Sequence, residues 1–224
     1  MVETDFLDVI ALSTLMILTV AIVVWYFRMR KKMIKFLKEF TIKLEEVLKP
    51  KDKEYRLLGY LVGYKAFFTL SDDSKAYVLL TTAPRLSLIY YPIARALGHE
   101  DRVTIALEPS RRRVVREAHA VKEGESRLKA ILSKDLGEEL SRLSTTKVNV
   151  RWGTYEIFYE DPRDVDLLLG IINDETIPIY KVSAYKGLNL TEIVSKAEVG
   201  KVEYLYEKLR EYTKKVTKST QQQV

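Results

Sequence analysis

The chain has 224 residues, 47% of them hydrophobic and 30% charged, with a formal charge of +6. That mixture excludes a disordered or fibrous protein. The absence of cysteine excludes a disulfide framework, a zinc finger and thiol chemistry, and with only His99 and His119 as imidazoles a histidine-rich metal site is not expected. Gln occurs only at Gln221, Gln222 and Gln223, and Asn only at Asn149, Asn173 and Asn189, a bias resembling that of thermophilic proteins.

The first element is VIALSTLMILTVAIVVWYF, Val9 to Phe27, nineteen residues without a charge. At 1.5 Å per residue this is close to the length that crosses about 30 Å of hydrocarbon. Trp25 and Tyr26 end the run, where amphipathic rings favour the headgroup level. Glu3, Asp5 and Asp8 precede it, and Arg28, Arg30, Lys31, Lys32 and Lys35 follow. The positive-inside rule therefore predicts a single-pass protein with residues 1–8 as an extracytoplasmic stub and everything after Arg28 cytoplasmic. A cleaved signal peptide has the opposite order of charge and apolar run, so an uncleaved anchor is expected. The chain beyond the anchor carries a formal +9, because the three acidic residues lie before it.

Residues 28–50 read as a basic amphipathic juxtamembrane helix, with Met29, Met33, Leu37, Phe40, Leu44 and Leu48 at three- and four-residue steps. Its basic turns are within reach of the lipid surface. A cytosolic domain is predicted over 55–188. Leu57 to Leu70 and Lys75 to Thr82 are β-rich runs around the turn Ser71-Asp72-Asp73-Ser74. Gly59 and Gly63 read as bulges or close-packing positions. A helix follows within Arg85 to Leu97, kinked or started late by Pro92 and capped by Gly98. Strands are expected at Arg102 to Glu108 and Arg113 to Val121, then a helix in two pieces from Gly124 to Leu143 and a strand or hairpin over Lys147 to Tyr159 around Gly153. Asp161-Pro162 starts a helix carrying Val165, Leu168, Leu169 and Ile172. A strand from Ile177 to Tyr185 precedes a charged C-terminal helix over 190–218 and a disordered tail over 219–224. About six strands, mostly in adjacent pairs, with about four helices predict an α+β fold with a mostly antiparallel sheet.

No GxGxxG, P-loop, HExxH or GxSxG motif occurs. His99 beside Glu100 and Asp101 reads as a solvated turn in preference to a metal corner. His119, with Glu117 two residues away on the same strand face, is a candidate general base, but a surface ion pair is the simpler reading. Asp164 and Asp166 fit first-turn charges on a helix dipole. No catalytic residue, metal site or cofactor is assigned, and the expectation is a protein without enzymatic activity.

Three basic elements remain. The juxtamembrane group Arg28, Arg30, Lys31, Lys32 and Lys35 suits the membrane surface. Arg111, Arg112, Arg113 and Arg116 repel one another at a hairpin tip; they suit phosphates of RNA or lipid, with a solvated loop as the alternative. The last helix carries Lys201, Lys208, Arg210, Lys214 and Lys215 around an apolar seam of Val202, Leu205, Leu209, Tyr212 and Val216. That seam either docks on its own domain or faces a partner.

The order of elements resembles the archaeal-type relatives of calumin, the coiled-coil-domain subunit of the PAT complex of the multipass translocon. The resemblance rests on Gly63-Tyr64-Lys65, on Tyr77-Val78-Leu79-Leu80, on Leu88-Ile89-Tyr90-Tyr91-Pro92-Ile93-Ala94-Arg95, on Asp101-Arg102-Val103-Thr104-Ile105, on the apolar helix of Val165 to Ile172 and on the final charged helix. It covers most of residues 7 to 216. It implies one anchor in a prokaryotic cell membrane, a cytosolic α+β domain, and a role as an accessory factor beside the Sec translocon and other multipass-translocon subunits that assists insertion or folding of nascent membrane proteins. The basic residues would then contact ribosomal RNA of the ribosome, and an apolar groove facing the membrane would instead suit shielding of nascent helices. It also carries an association with calcium ions, for which the residues themselves assign no site. The eukaryotic members resembled have a signal peptide, a long acidic lumenal segment and an extended charged coiled-coil tail, whereas in this sequence eight residues precede the apolar run and six follow Lys218. The alternative is a bitopic scaffold or sensor, binding a protein or a small ligand in a pocket lined by Tyr60, Tyr64, Phe67, Phe68, Tyr90 and Tyr91.

Overall fold

A computed structural model describes residues 2–110 and 115–221 of the chain. The architecture is α+β, with one long apolar N-terminal helix and a large antiparallel sheet. Helix α1 runs without interruption over Val2–Leu48, a rod of about 70 Å at 1.5 Å per residue. Phe6 to Val24 pack against nothing in the chain, and the most apolar window has a mean hydropathy of 2.5. By length and composition this part of the helix is able to cross a membrane. From Met33 onward the same helix changes role. Met33, Phe40, Leu44 and Leu48 form a stripe that is buried against the sheet.

The strands are β1 (Asp52–Gly59), β2 (Gly63–Thr69), β3 (Lys75–Thr81), β4 (Arg102–Glu108), β5 (Ala118–Lys122), β6 (Ser144–Val150), β7 (Gly153–Tyr159), β8 (Ile179–Tyr185) and β9 (Leu190–Lys196). They form one sheet in the order β1-β2-β3-β4-β9-β8-β5-β7-β6, with every ladder antiparallel. A single row across it reads Tyr55, Ala66, Val78, Ile105, Ile193, Val182, Ala120, Ile157 and Thr146. Directly opposed residues share a face, so this row is the floor of the main core. The lower half of α1, helix α4 (Arg163–Ile172) and helix α5 (Val202–Gln221) close over it. On the other face, α3 (Ser126–Leu136) and the 3-10 turn Gly137–Arg142 cover only the β5–β7–β8 side, around Val121, Leu132, Phe158 and Tyr185.

Several expectations change in detail. The run Leu57 to Leu70 is not one strand: it folds back at residues 60–62, and β1 begins at Asp52. Gly63 has φ +139°, and a Cβ there would lie 1.9 Å from the Leu80 carbonyl oxygen, so a close-packing glycine is required. Gly59 sits at the register shift that follows Leu57. Helix α2 (Tyr90–Ala96) starts late, with Pro92 in its first turn. Residues 190–196, expected as the start of the last helix, are instead the central strand β9, and α5 begins only at Val202. The alternation of Thr191, Ile193 and Ser195 toward the helices is a period of two, which a helix could not have buried on one face. Of the strand expected over Arg113 to Val121, residues 115–117 are not strand and β5 begins at Ala118, while Arg113 and Val114 lie outside the described residues. Strand β5 pairs with β7 and β8 and not with β4, so the two strands do not form the expected hairpin. Ser219, Thr220 and Gln221, expected in a loose tail, continue α5, and residues 222–224 lie outside the described residues.

The α5 seam is settled in favour of its own domain. Val202, Leu205, Leu209, Tyr212 and Val216 are all buried in the same core as Phe40 and Leu44 of α1. The juxtamembrane helix, the sheet and the last helix thus share one core.

Candidate functional site

The antiparallel register gives the domain two ends. At one, the row Gly59, Gly63, Thr81, Arg102 and Lys196 lies beside the apolar part of α1. The turn between β1 and β2 meets α1 there: the Arg30 guanidinium sits 5.9 Å over the Tyr60 ring. The loop before α2 meets α1 one and a half turns earlier, where Trp25 Nε1 donates to the Arg85 carbonyl at 2.9 Å. Tyr91 of α2 brings its ring to 6.2 Å from that of Trp25. Arg28, Lys31 and Lys32 are exposed around this collar, and Lys35 pairs with Glu39 at 3.6 Å.

At the opposite end, the row Phe68, Ala76, Leu107, Thr191, Ala184, Ala118 and Tyr159 closes the sheet. The connection from β4 to β5 leaves and re-enters this row, so it belongs to the end away from the apolar helix. Arg111, Arg112 and Arg113 fall within it but lie outside the described residues. At its base is a groove of about 280 Å3, lined among others by Asp72, Leu107, Pro109, Tyr206, Arg210 and Lys214. Ser74 hydrogen-bonds Asp72 and, with a smaller contribution from the Arg210 charge, holds its carboxyl below the usual range. Arg210 and Lys214, from the expected phosphate-binding set, line this groove together with Pro109 and Ser110. The remaining members diverge. Lys208 lies 3.4 Å from Asp174, Lys215 lies 2.7 Å from Glu211, and Lys201 is in the 3-10 turn before α5.

Arg116 leaves the set altogether. It is buried, and its Nε donates to Asp164 Oδ2 at 2.9 Å while a terminal nitrogen holds Oδ1. Asp161 stands 3.4 Å from the third nitrogen. Asp164 stands in the first turn of α4, as expected, and is fully enclosed. A guanidinium without an evident folding role thus proves to clamp α4 onto the sheet. Asp161 accepts a hydrogen bond from the Arg163 amide at 2.9 Å, and contacts from Arg163 hold its carboxyl well below the usual range. The Asp-Pro pair announces Asp161 as N-cap and Pro162 as the first helical residue. The helix begins one residue later, at Arg163, with Pro162 at the N-cap position, so Asp161 holds the turn into α4 from just outside it.

The Glu117–His119 pair exists, but it is buried and not a surface pair. His119 Nε2 lies 2.8 Å from Glu117 Oε1, and its ring packs 5.0 Å from that of Tyr185 under α3. Burial pushes its pKa down, against the opposing pull of Glu117. Next to it is a group that sequence reasoning missed. Lys181 is 2% exposed, with its Nζ 2.7 Å from Tyr185 Oη and 3.1 Å from Glu192 Oε2. Burial is the largest influence and opposes its charge, but Glu192 and Tyr185 together outweigh it and the pKa rises. The available signal was a lone lysine inside the otherwise apolar run Ile179 to Tyr185.

His99, Glu100 and Asp101 diverge. His99 is exposed, Glu100 accepts from Tyr180, and Asp101 turns inward to the Ala83 amide at 2.8 Å. The six aromatics considered for a ligand pocket do not share a cavity. Tyr64 and Phe68 are core, Phe67 lies on the other face of the sheet, and Tyr60 and Tyr90 are exposed. The chain matches no protein-family model and no curated protein.

Proposed function

We propose that this protein is a single-pass, non-enzymatic accessory factor that holds a basic domain at the cytoplasmic face of the membrane, beside the Sec translocon, and assists insertion of multipass membrane proteins. The observation that carries the reading is the double role of α1, whose first half is bare and apolar while its second half is built into the core of the domain. A flexible linker would let the domain wander. A continuous helix fixes its height and leaves one end of the sheet toward lipid and the other toward the cytosol. Arg210 and Lys214 line the groove with Pro109 and Ser110 at the end that this reading turns to the cytosol, which suits contact with the phosphates of ribosomal RNA. Such contacts position a protein without reading bases.

Full-length protein in phosphatidylcholine–phosphatidylglycerol vesicles, floated with purified prokaryotic ribosomes, tests the contact. Co-flotation that falls steeply with added salt is expected. It should vanish when Arg111, Arg112, Arg113, Arg210 and Lys214 are reversed to Glu. Unchanged co-flotation of that variant sinks the ribosome assignment. Digestion of the C-terminal domain by protease added to intact cells would overturn the topology.

A further inference from the structure

The end of the domain beside α1 carries large apolar side chains that the chain leaves uncovered. At the end of β1 and in the turn that follows it these are Leu57, Leu58, Tyr60 and Val62, with Leu57 81% exposed. In and around α2 they are Ile89, Tyr90, Ile93 and Leu97, with Leu97 69% exposed. Single exposed apolar residues need no explanation, but two groups on neighbouring projections do. Both projections touch α1 close to the end of its uncharged run at Phe27. One is tied to Trp25 through the Arg85 carbonyl and the Tyr91 ring, the other to Arg30 through Tyr60. These two attachment points are about 7.5 Å apart along the helix, less than the depth of one headgroup layer and its acyl boundary.

We infer that the β1–β2 turn and helix α2 are lipid-inserting projections that seat the domain in the inner leaflet of the same bilayer that α1 spans. The inference rests on the anchored reading above. Lipid is the occupant because the patches continue the apolar surface of α1 at the depth where it leaves the hydrocarbon. They also carry Tyr60 and Tyr90, whose rings suit the interface, and are flanked by Arg28, Arg95 and Lys31 at headgroup level. Seated at three points, the anchor and two projections, the domain could not swing about α1.

The cysteine-free chain allows a direct test. Single cysteines at Leu57, Ile93, Val20 and Ser71 of the full-length protein are labelled with an environment-sensitive fluorophore in phosphatidylcholine–phosphatidylglycerol vesicles. Quenching by lipids brominated near the glycerol end of the chain is then compared with quenching by aqueous iodide. Leu57→Cys and Ile93→Cys should lose fluorescence to brominated lipid and resist iodide, while Ser71→Cys does the reverse. If Val20→Cys is quenched by lipid but the two projection sites are open to iodide, the inference fails while the anchor stands, and a protein partner becomes the occupant. If Val20→Cys is also open to iodide, the anchored reading falls and the inference with it.

Discussion

Arg116 and Asp164 face each other inside the protein, guanidinium against carboxylate, joining the segment that leads into β5 to the first turn of α4. Removing Asp164 leaves the buried Arg116 with only the longer 3.4 Å contact to Asp161. Asp164→Ala should therefore cost about 3–5 kcal/mol, whereas the double change Arg116→Met with Asp164→Leu should recover most of it. Denaturant unfolding of the detergent-solubilised protein, read by the near-ultraviolet signal of Trp152, compares the two. Equal losses in the single and double variants would remove the pair from the energetics of the fold.

His119 predicts an acid-sensitive core. Its folded pKa lies below the 6.5 of an ordinary histidine, because burial disfavours the imidazolium more than Glu117 favours it. The unfolded chain therefore binds the proton first as pH falls. The stability that His119 contributes is complete above about pH 6.5 and declines below it, by at most about 1.4 kcal/mol per pH unit. His119→Phe should flatten that part of the stability curve measured by denaturant unfolding across the range, whatever it does to the absolute value. A wild-type curve with the same slope as the variant would contradict the assignment.

Two glycines should respond with opposite signs. Gly63→Ala drives a Cβ into the Leu80 carbonyl in a backbone conformation that side chains rarely adopt, and the hairpin should lose several kcal/mol, about 3 or more. Gly170, exposed within α4, has open space around it. Gly170→Ala should stabilise by about 0.5–1 kcal/mol through helix propensity. Thermal unfolding of the two variants checks both signs.

On α5 the charged and apolar faces should separate cleanly. Leu209→Ala, fully buried, should cost about 2–5 kcal/mol. Arg210→Glu with Lys214→Glu should leave stability within about 0.5 kcal/mol, because both residues are exposed. If that double variant unfolds as readily as Leu209→Ala, its loss of ribosome binding would say nothing about phosphate contact.

How much of this was legible beforehand depends on whether a feature is local. The helical stripe of α1, the hairpin around Gly153 and the late start of α2 follow from spacing and from Pro92, which act over a few residues. The strand at residues 190–196 was hidden because it directly precedes a strongly periodic helix, and a short run of β-branched residues is ambiguous in isolation. Arg116 was misread for a similar reason. Beside Arg111, Arg112 and Arg113 it belongs to a basic run, and only the fold supplies Asp164 from forty-eight residues away.

By itself the chain of residues determined the bare apolar segment, the charge difference across it, the amphipathic helix that follows and most strand positions, because hydrophobic period and charge act along the backbone. Only the tertiary structure decided which charges meet and which stay free. The pairing of Arg116 with Asp164, the burial of Lys181 and His119, and the gathering of two apolar projections beside Trp25 and Arg30 all depend on register among nine strands. That register is set by closing one shared core, and no stretch of sequence carries it alone.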